Sequence, residues 1–375
     1  MSSFNLVQIV PSLDSGGVER GTVDVANFLA EKKIKNFIIT QSGKMINELN
    51  QEYTHVHLLP IKSKNFLSYP SLAKKINQFI IEHNINLLHV RSRGSAWIVN
   101  LIKNKNVKTI STFHNVYGGN FYIKKMYNKG LSYMDQIVAI SEYVKETIVK
   151  KYKIRSNKIS VINRGIDTHF FDQNTNQTTK DELIKRLNID TSKKIILFPA
   201  RLTSWKGQLE FLDVVNKLDQ KNISVLFVGD TKNDSFTALV KEKIMRENLD
   251  SLCKILGNVN LEEMRFLYQM ADLSVSFPLR AEGFGRTISE SLYSDTLVLA
   301  FNYGGVKNQL EDLSDMFKVE PLNYIGLSNR IEELLNLDEL AKKELLQNTK
   351  SIIENNFSKK TMVNKYLALY ESVKF

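Results

Sequence analysis

Lys193-Lys-Ile-Ile-Leu-Phe-Pro-Ala-Arg-Leu-Thr-Ser-Trp-Lys-Gly-Gln208 is a short apolar run that stops in a polar, glycine-closed loop before a helical pattern begins. A run of that length reads as a strand buried on both faces, and the helix after it as a crossover to a parallel neighbour. The unit recurs in both directions. Toward the N-terminus, apolar runs fall at residues 6–10, 37–40, 56–59, 87–90, 109–113, 137–140 and 159–162; toward the C-terminus they fall at 195–198, 224–228, 254–256, 273–277 and 297–300. A polar stretch, Asp172-Gln-Asn-Thr-Asn-Gln-Thr-Thr179, interrupts the alternation and reads as a hinge or surface linker. The expectation is an α/β chain of two parallel β/α sheets in tandem, with ligands at the carboxyl ends of the strands and a cleft where the two domains face each other.

The boundaries implied are 1–165 for the first domain, 166–358 for the second and 359–375 for a terminal helix. That last segment carries Met362, Tyr366, Leu367, Leu369, Tyr370 and Val373 at helical spacing and is a candidate for crossing back to the first domain. With 375 residues, 43% hydrophobic and 24% charged, each domain can bury its own core. The single cysteine, Cys253, excludes an intramolecular disulfide, a thiolate metal cage and a Cys-x-x-Cys redox pair, and points to a reducing, cytoplasmic setting. The start, Met1-Ser-Ser-Phe-Asn-Leu-Val-Gln8, lacks the basic and apolar regions of a signal peptide, and no stretch supplies 18 uninterrupted apolar residues, so no membrane span is expected.

Charge is distributed unevenly. Residues 1–165 hold 24 Lys and Arg against 10 Asp and Glu, whereas residues 166–375 hold 27 against 30. The excess suits an anionic partner of the first half: a phospholipid surface, a phosphorylated glycolipid or a nucleic acid; a lysine-rich solvated surface is the plain alternative.

Candidate chemistry gathers at strand ends. Ala281-Glu-Gly-Phe-Gly-Arg-Thr-Ile-Ser-Glu290 places Glu282 and Glu290 on either side of a glycine turn that opens into a helix. The N–H groups of such a first turn can hold a pyrophosphate, and the carboxylates can accept hydrogen bonds from sugar hydroxyls on either side of it. Arg201 and Lys206, five residues apart in a strand-to-helix loop, could converge on the same diphosphate. Gly16 and Gly17 follow the first strand at a helix start, where a backbone can approach phosphate closely, although a double glycine is more often just a turn. His114 could contact a reacting sugar or fill a structural role. Arg91 and Arg93 could grip an anionic acceptor or be exposed.

In this order the residues resemble the retaining glycosyltransferases of family 4, with their two-domain GT-B fold of facing Rossmann-like domains. The resemblance rests on Gly16-Gly17, His114, Ser141-Glu142, Asn163-Arg-Gly-Ile-Asp167 with Phe170 or Phe171, Arg201 with Lys206, Gly229-Asp230, and Glu282 with Glu290. The pieces His89-Val-Arg-Ser-Arg-Gly-Ser-Ala-Trp97 and Thr112-Phe-His-Asn-Val-Tyr117 are similar to the bacterial branch that builds lipopolysaccharide and related surface glycans. It implies an enzyme moving a hexosyl group from a nucleotide sugar to a glycan or glycolipid, retaining configuration and needing neither metal nor cofactor. Catalytic roles fall to His114, Arg201, Lys206 and Glu282. Donor contacts fall to Gly16, Gly17, Arg201, Lys206, Glu282, Gly283, Phe284, Gly285, Arg286, Thr287 and Glu290, and acceptor contacts to Arg91, Arg93, Asn115 and Tyr117. Departures from the family pattern are Asn308, where a glutamate is common, and Asn115, where glycine is. No Asp-x-Asp triplet is present to clamp a metal diphosphate.

Tyr122-Ile-Lys-Lys-Met-Tyr-Asn-Lys129 mixes aromatics with lysines and could lie on the anionic face of the inner membrane, making the protein peripheral there; a core-facing helix with solvated lysines is the other reading. Two competing functions remain: a nucleotide-sugar epimerase of similar fold, and a basic nucleic-acid-binding module without catalysis. The second explains the charge but gives Glu282 and Glu290 no role and lacks a nucleic-acid motif, so no nucleic-acid partner is expected.

Overall fold

The computed structural model describes residues 4–373 except 15, 64, 105, 120, 220 and 221. The first three residues of the chain, Ser15 of the glycine-pair loop and Lys374-Phe375 of the terminal segment lie outside the described residues. The chain divides into two compact units, Met1–Gly165 with Lys359–Phe375, and Ile166–Ser358.

The first unit is built on a seven-stranded parallel sheet of β1 (Leu6–Ile9), β2 (Asn36–Thr40), β3 (Thr54–Leu58), β4 (Leu87–Val90), β5 (Lys108–Phe113), β6 (Gln136–Ala139) and β7 (Ile159–Val161), in the order β3-β2-β1-β4-β5-β6-β7. The second holds β8 (Lys194–Pro199), β9 (Ile223–Val228), β10 (Cys253–Gly257), β11 (Leu273–Ser276), β12 (Leu297–Phe301) and β13 (Lys318–Val319), in the order β10-β9-β8-β11-β12-β13. Twelve of these strands coincide with the apolar runs read from the sequence; β13, two residues long, has no run to announce it. In each sheet the order reverses once, at β1/β4 and at β8/β11, which makes these strand pairs the switch points where open α/β sheets bind ligands.

Register explains the cores. Leu6 pairs with Leu87 across β1 and β4, and their neighbours Ile110 and Val138 complete one apolar layer. That layer is closed by the helix Lys359–Ser372, whose Met362, Val363, Tyr366 and Tyr370 are buried in it. The C-terminal helix therefore does return, packing on the helix Gly17–Glu31 of the first unit. Each such large side chain contributes about 1.5–3 kcal/mol when buried. In the second unit Phe198, Phe211, Phe227, Phe277 and Phe301 form a chain of ring contacts with centroids 5.1–6.4 Å apart, anchoring β8, β9, β11 and β12 to one helix.

The polar stretch at 172–179 is not a free linker. It lies inside the second unit, where Gln269 accepts from the Thr175 N–H and hydroxyl (3.2 and 3.0 Å) and Arg265 donates to Gln173 (2.9 Å). From Gln177 it is already helix, with Asn176 as the N-cap accepting from the Thr179 N–H at 2.8 Å. Among the described residues no helix is long and apolar enough to cross a membrane.

Candidate active site

At the second unit's switch point, the loop after β8 lies directly on the loop after β11. Gly207, at φ +87°, makes this possible, because a Cβ there would come within 2.2 Å of the Phe277 carbonyl oxygen. The Leu279 N–H donates to the Trp205 carbonyl at 2.8 Å and fastens the two loops together. Lys206 is thereby brought onto Glu282 as an ion pair, with side chains only 17% and 13% exposed, and its ammonium also sits 4.6 Å from the Trp205 ring centre. Arg201 projects from the same loop and is exposed; its backbone is held by Gln208, which donates to the Arg201 carbonyl at 2.9 Å.

Behind Glu282 the chain enters the helix Arg286–Tyr293 through Gly283, Phe284 and Gly285. With the Gln309 amide in the orientation that satisfies both its atoms, it accepts from the Gly285 N–H (2.8 Å) and donates to the Gly285 carbonyl (2.9 Å). The Gly285 amide is thus engaged by Gln309. Thr287 lies in the first turn, and its carbonyl accepts from the Ser291 hydroxyl at 2.7 Å. Glu290, one turn on and 7% exposed, accepts from Arg286 Nε and Nη2 (3.1 and 2.8 Å) on one oxygen and from the Tyr268 hydroxyl (3.0 Å) on the other. Burial, and then Glu290 beside it, raises the Tyr268 hydroxyl well above its ordinary pKa, so Tyr268 keeps its proton and donates.

The first unit's switch point carries a second set of groups. Arg164, just past β7, donates to the Gly17 carbonyl through Nη1 and to His114 Nδ1 through Nη2 at 2.9 Å. Position 17 admits only glycine without rearrangement, since a Cβ would stand 2.7 Å from Arg164 Nη1. A guanidinium has donors only, so His114 Nδ1 accepts and the imidazole proton resides on Nε2. That Nε2 is buried and has no hydrogen-bond partner among the described residues. Burial first, then Arg164, Arg91 and His89, holds the His114 pKa well below the usual histidine value. The side chain is therefore a neutral imidazole with its proton on Nε2. Gly16, at φ +125°, precedes the helix that Gly17 begins.

Arg91 is 2% exposed: Nε and Nη2 donate to Gln8 Oε1 at 2.9 and 2.5 Å, and the guanidinium lies 5.2 Å from the Tyr366 ring. It faces the interior, not the surface. Arg93 is stacked between Tyr117 and Tyr127, at 4.2 and 5.4 Å from their ring centres, and donates to Asn128 at 2.6 Å. Asn115 is exposed, with its Oδ1 accepting from the Val116 N–H at 2.7 Å. Arg93 and Tyr117 are therefore brought together. Sequence reading gave no role to Tyr268, Gln309 or Tyr366, and it named Arg164 only as part of a motif. Among the described residues, no three His, Cys, Asp or Glu side chains gather where they could hold a metal ion.

Residues 15–170 match the model of Glycosyltransferase Family 4, and residues 179–351 match that of Glycosyl transferases group 1. A crystal structure of a glycosyltransferase from Rickettsia africae is similar at 33% identity and a TM-score of 0.89, over 98% of both chains. The chain belongs to glycosyltransferase family 4. As a family 4 glycosyltransferase it has the GT-B fold of two Rossmann-like parallel sheets. A trehalose synthase from Thermococcus litoralis is 27% identical over 246 residues; the match spans 63% of this chain and 57% of the relative's length. The capsular polysaccharide biosynthesis glycosyltransferase CapM of Staphylococcus aureus is 23% identical over 98% of this chain and 96% of its own.

Proposed function

We propose that the protein transfers a hexosyl group, with retention of configuration, from a nucleoside-diphosphate sugar to a glycan or glycolipid that becomes part of a lipopolysaccharide or another surface polysaccharide. The observation that carries this reading is the Lys206–Glu282 pair at the β8/β11 switch point, with Glu290 anchored on the helix behind it. An incoming diphosphate competes with Glu282 for the Lys206 ammonium. Once Lys206 turns to phosphate, the Glu282 carboxylate is released to accept hydrogen bonds from sugar hydroxyls. Exposed Arg201 adds a planar fork to the same diphosphate, and Glu290, with lone pairs left after Arg286 and Tyr268, accepts from the ribose.

In the reaction the bond from the anomeric carbon to the diphosphate breaks with its electron pair going to phosphate oxygen. The acceptor oxygen bonds to that carbon from the same face, and its proton passes to the departing diphosphate. Lys206 and Arg201 interact more strongly as that charge grows, so they lower the barrier and not merely the dissociation constant. His114 supplies a neutral N–H to a substrate oxygen. We assign donor binding to residues 166–358 and acceptor binding to residues 1–165, through Arg93, Tyr117 and Asn115. CapM, similar over nearly its whole length, supports the surface-glycan pathway, and the basic first half supports a cytoplasmic protein peripheral on an anionic membrane face.

Thermal unfolding against UDP-, GDP-, ADP- and CMP-sugars tests the donor site, since a ligand of the folded state alone raises the melting point. One class of nucleotide sugar should stabilise the protein, and Lys206→Met should abolish the shift. Stabilisation by RNA or DNA with none by any nucleotide sugar would reject the proposal.

A further inference from the structure

The helix Tyr122–Lys129 is built inside out. A surface helix normally turns its apolar stripe to the core and its polar residues to water. Here the one fully buried residue is Asn128, which accepts from Arg93 at 2.6 Å and donates to the Gly118 carbonyl at 3.1 Å. Tyr122, Ile123 and Met126 share a face by helical spacing, and with Phe121 just ahead they point away from the protein; Phe121, Tyr122 and Ile123 are 75–83% exposed. A second apolar point stands beside them. Phe66 and Leu67, the latter 88% exposed, form a short turn whose Phe66 ring meets Tyr127 edge-on at 6.0 Å. Two separate segments thus present Phe, Leu, Tyr, Ile and Met side chains outward along one rim of the first unit.

The charge around this rim is of one sign. Between Glu52 and Asp135 the chain carries twelve Lys and Arg but only one acid, Glu82. Lys124, Lys125 and Lys129 lie on the apolar helix itself, and Lys62 precedes the Phe66 turn; all four are exposed. We infer that Phe66, Leu67, Phe121, Tyr122, Ile123 and Met126 form a two-point wedge that enters an anionic phospholipid bilayer, with Lys62, Lys124, Lys125 and Lys129 on the headgroup phosphates. Aromatic side chains and lysines side by side suit the headgroup level, where an apolar body and a charged tip are both satisfied. A second copy of the chain would bring the same positive rim against itself and be repelled. The wedge is tied to the proposed acceptor residues, because Arg93 is stacked between Tyr127 of the helix and Tyr117. The inference rests on the peripheral placement proposed above, but its test involves neither sugar donor nor acceptor.

The full chain is mixed with vesicles of phosphatidylcholine alone and of phosphatidylcholine with phosphatidylglycerol, and sedimented at low and high salt. Sedimentation with the anionic vesicles, weakened by salt, is expected. The double variant Leu67→Asp with Ile123→Asp, and separately Lys124→Glu with Lys125→Glu, should each lower vesicle affinity about tenfold or more. Both pairs are exposed, so unchanged melting points, and an unchanged thermal shift by the nucleotide sugar, would show that the fold and donor site are intact. The inference is overturned if the wild type stays in the supernatant with both vesicle types, if the variants sediment like the wild type, or if the apolar variants instead abolish a dimer.

Discussion

Lys206 and Glu282 were both legible in the sequence, but their direct pairing was not, because it depends on two loops 76 residues apart being pressed together at Gly207. The residues that could be read from sequence are those whose chemistry is announced by local context: carboxylates around a glycine turn, cations after a buried strand. Those that could not are partners brought in by packing. Tyr268 lies 22 positions before Glu290, on another helix, and nothing in its neighbourhood marks it. This partnership changes the expected behaviour of Glu290→Ala. Donor affinity should fall by about 1.5–3 kcal/mol, the worth of a charge-assisted hydrogen bond. Stability should also fall, by about 1–3 kcal/mol, because Arg286 and Tyr268 lose their acceptor. Tyr268→Phe separates the two effects: calorimetric titration should find donor affinity nearly unchanged, while a urea melt finds a loss of about 1–2 kcal/mol. Unchanged donor affinity in Glu290→Ala would remove Glu290 from the site.

At the scale of elements, the strands were readable because both sheets are parallel and buried on both faces, so each strand is a continuous apolar run. The terminal helix was readable from Met362, Tyr366 and Tyr370 at successive turns. Its polar function was not. Tyr370 bonds His89 Nδ1 at 2.7 Å, Thr112 bonds His89 Nε2 at 2.7 Å, and Tyr366 covers Arg91, so the helix seals a buried polar cluster of His89, Arg91 and Thr112. Burial, and then Arg91, holds His89 well below the usual histidine pKa. The folded chain thus keeps His89 neutral at pH values where the unfolded chain protonates it. The His89 contribution to stability is level above about pH 6.5 and falls below it, by up to about 1.4 kcal/mol per pH unit. Urea melts from pH 7 to pH 5 should show a slope that His89→Gln, still able to bridge Thr112 and Tyr370, reduces by about that amount. An identical slope in the variant would mean that His89 is protonated in the folded state.

For the whole molecule, the two reversals of strand order mark where open α/β sheets bind ligands, and the excess of Lys and Arg lies in the first half of the chain. The two switch points supply different groups: a cation–carboxylate pair in the second unit, a neutral histidine donor in the first. An epimerase would return the altered sugar still attached to its nucleotide; a glycosyltransferase must release the nucleotide and leave the sugar on another molecule. The deciding experiment supplies the purified protein with a nucleotide sugar labelled in the sugar, together with a glycolipid fraction, and follows the label and its anomeric configuration by NMR. Family 4 chemistry predicts label in the glycolipid with the donor's configuration retained, one nucleoside diphosphate released per sugar transferred, and neither product with Lys206→Met. Label that stays on the nucleotide as an epimer, or reaches the glycolipid with inverted configuration, would contradict the account.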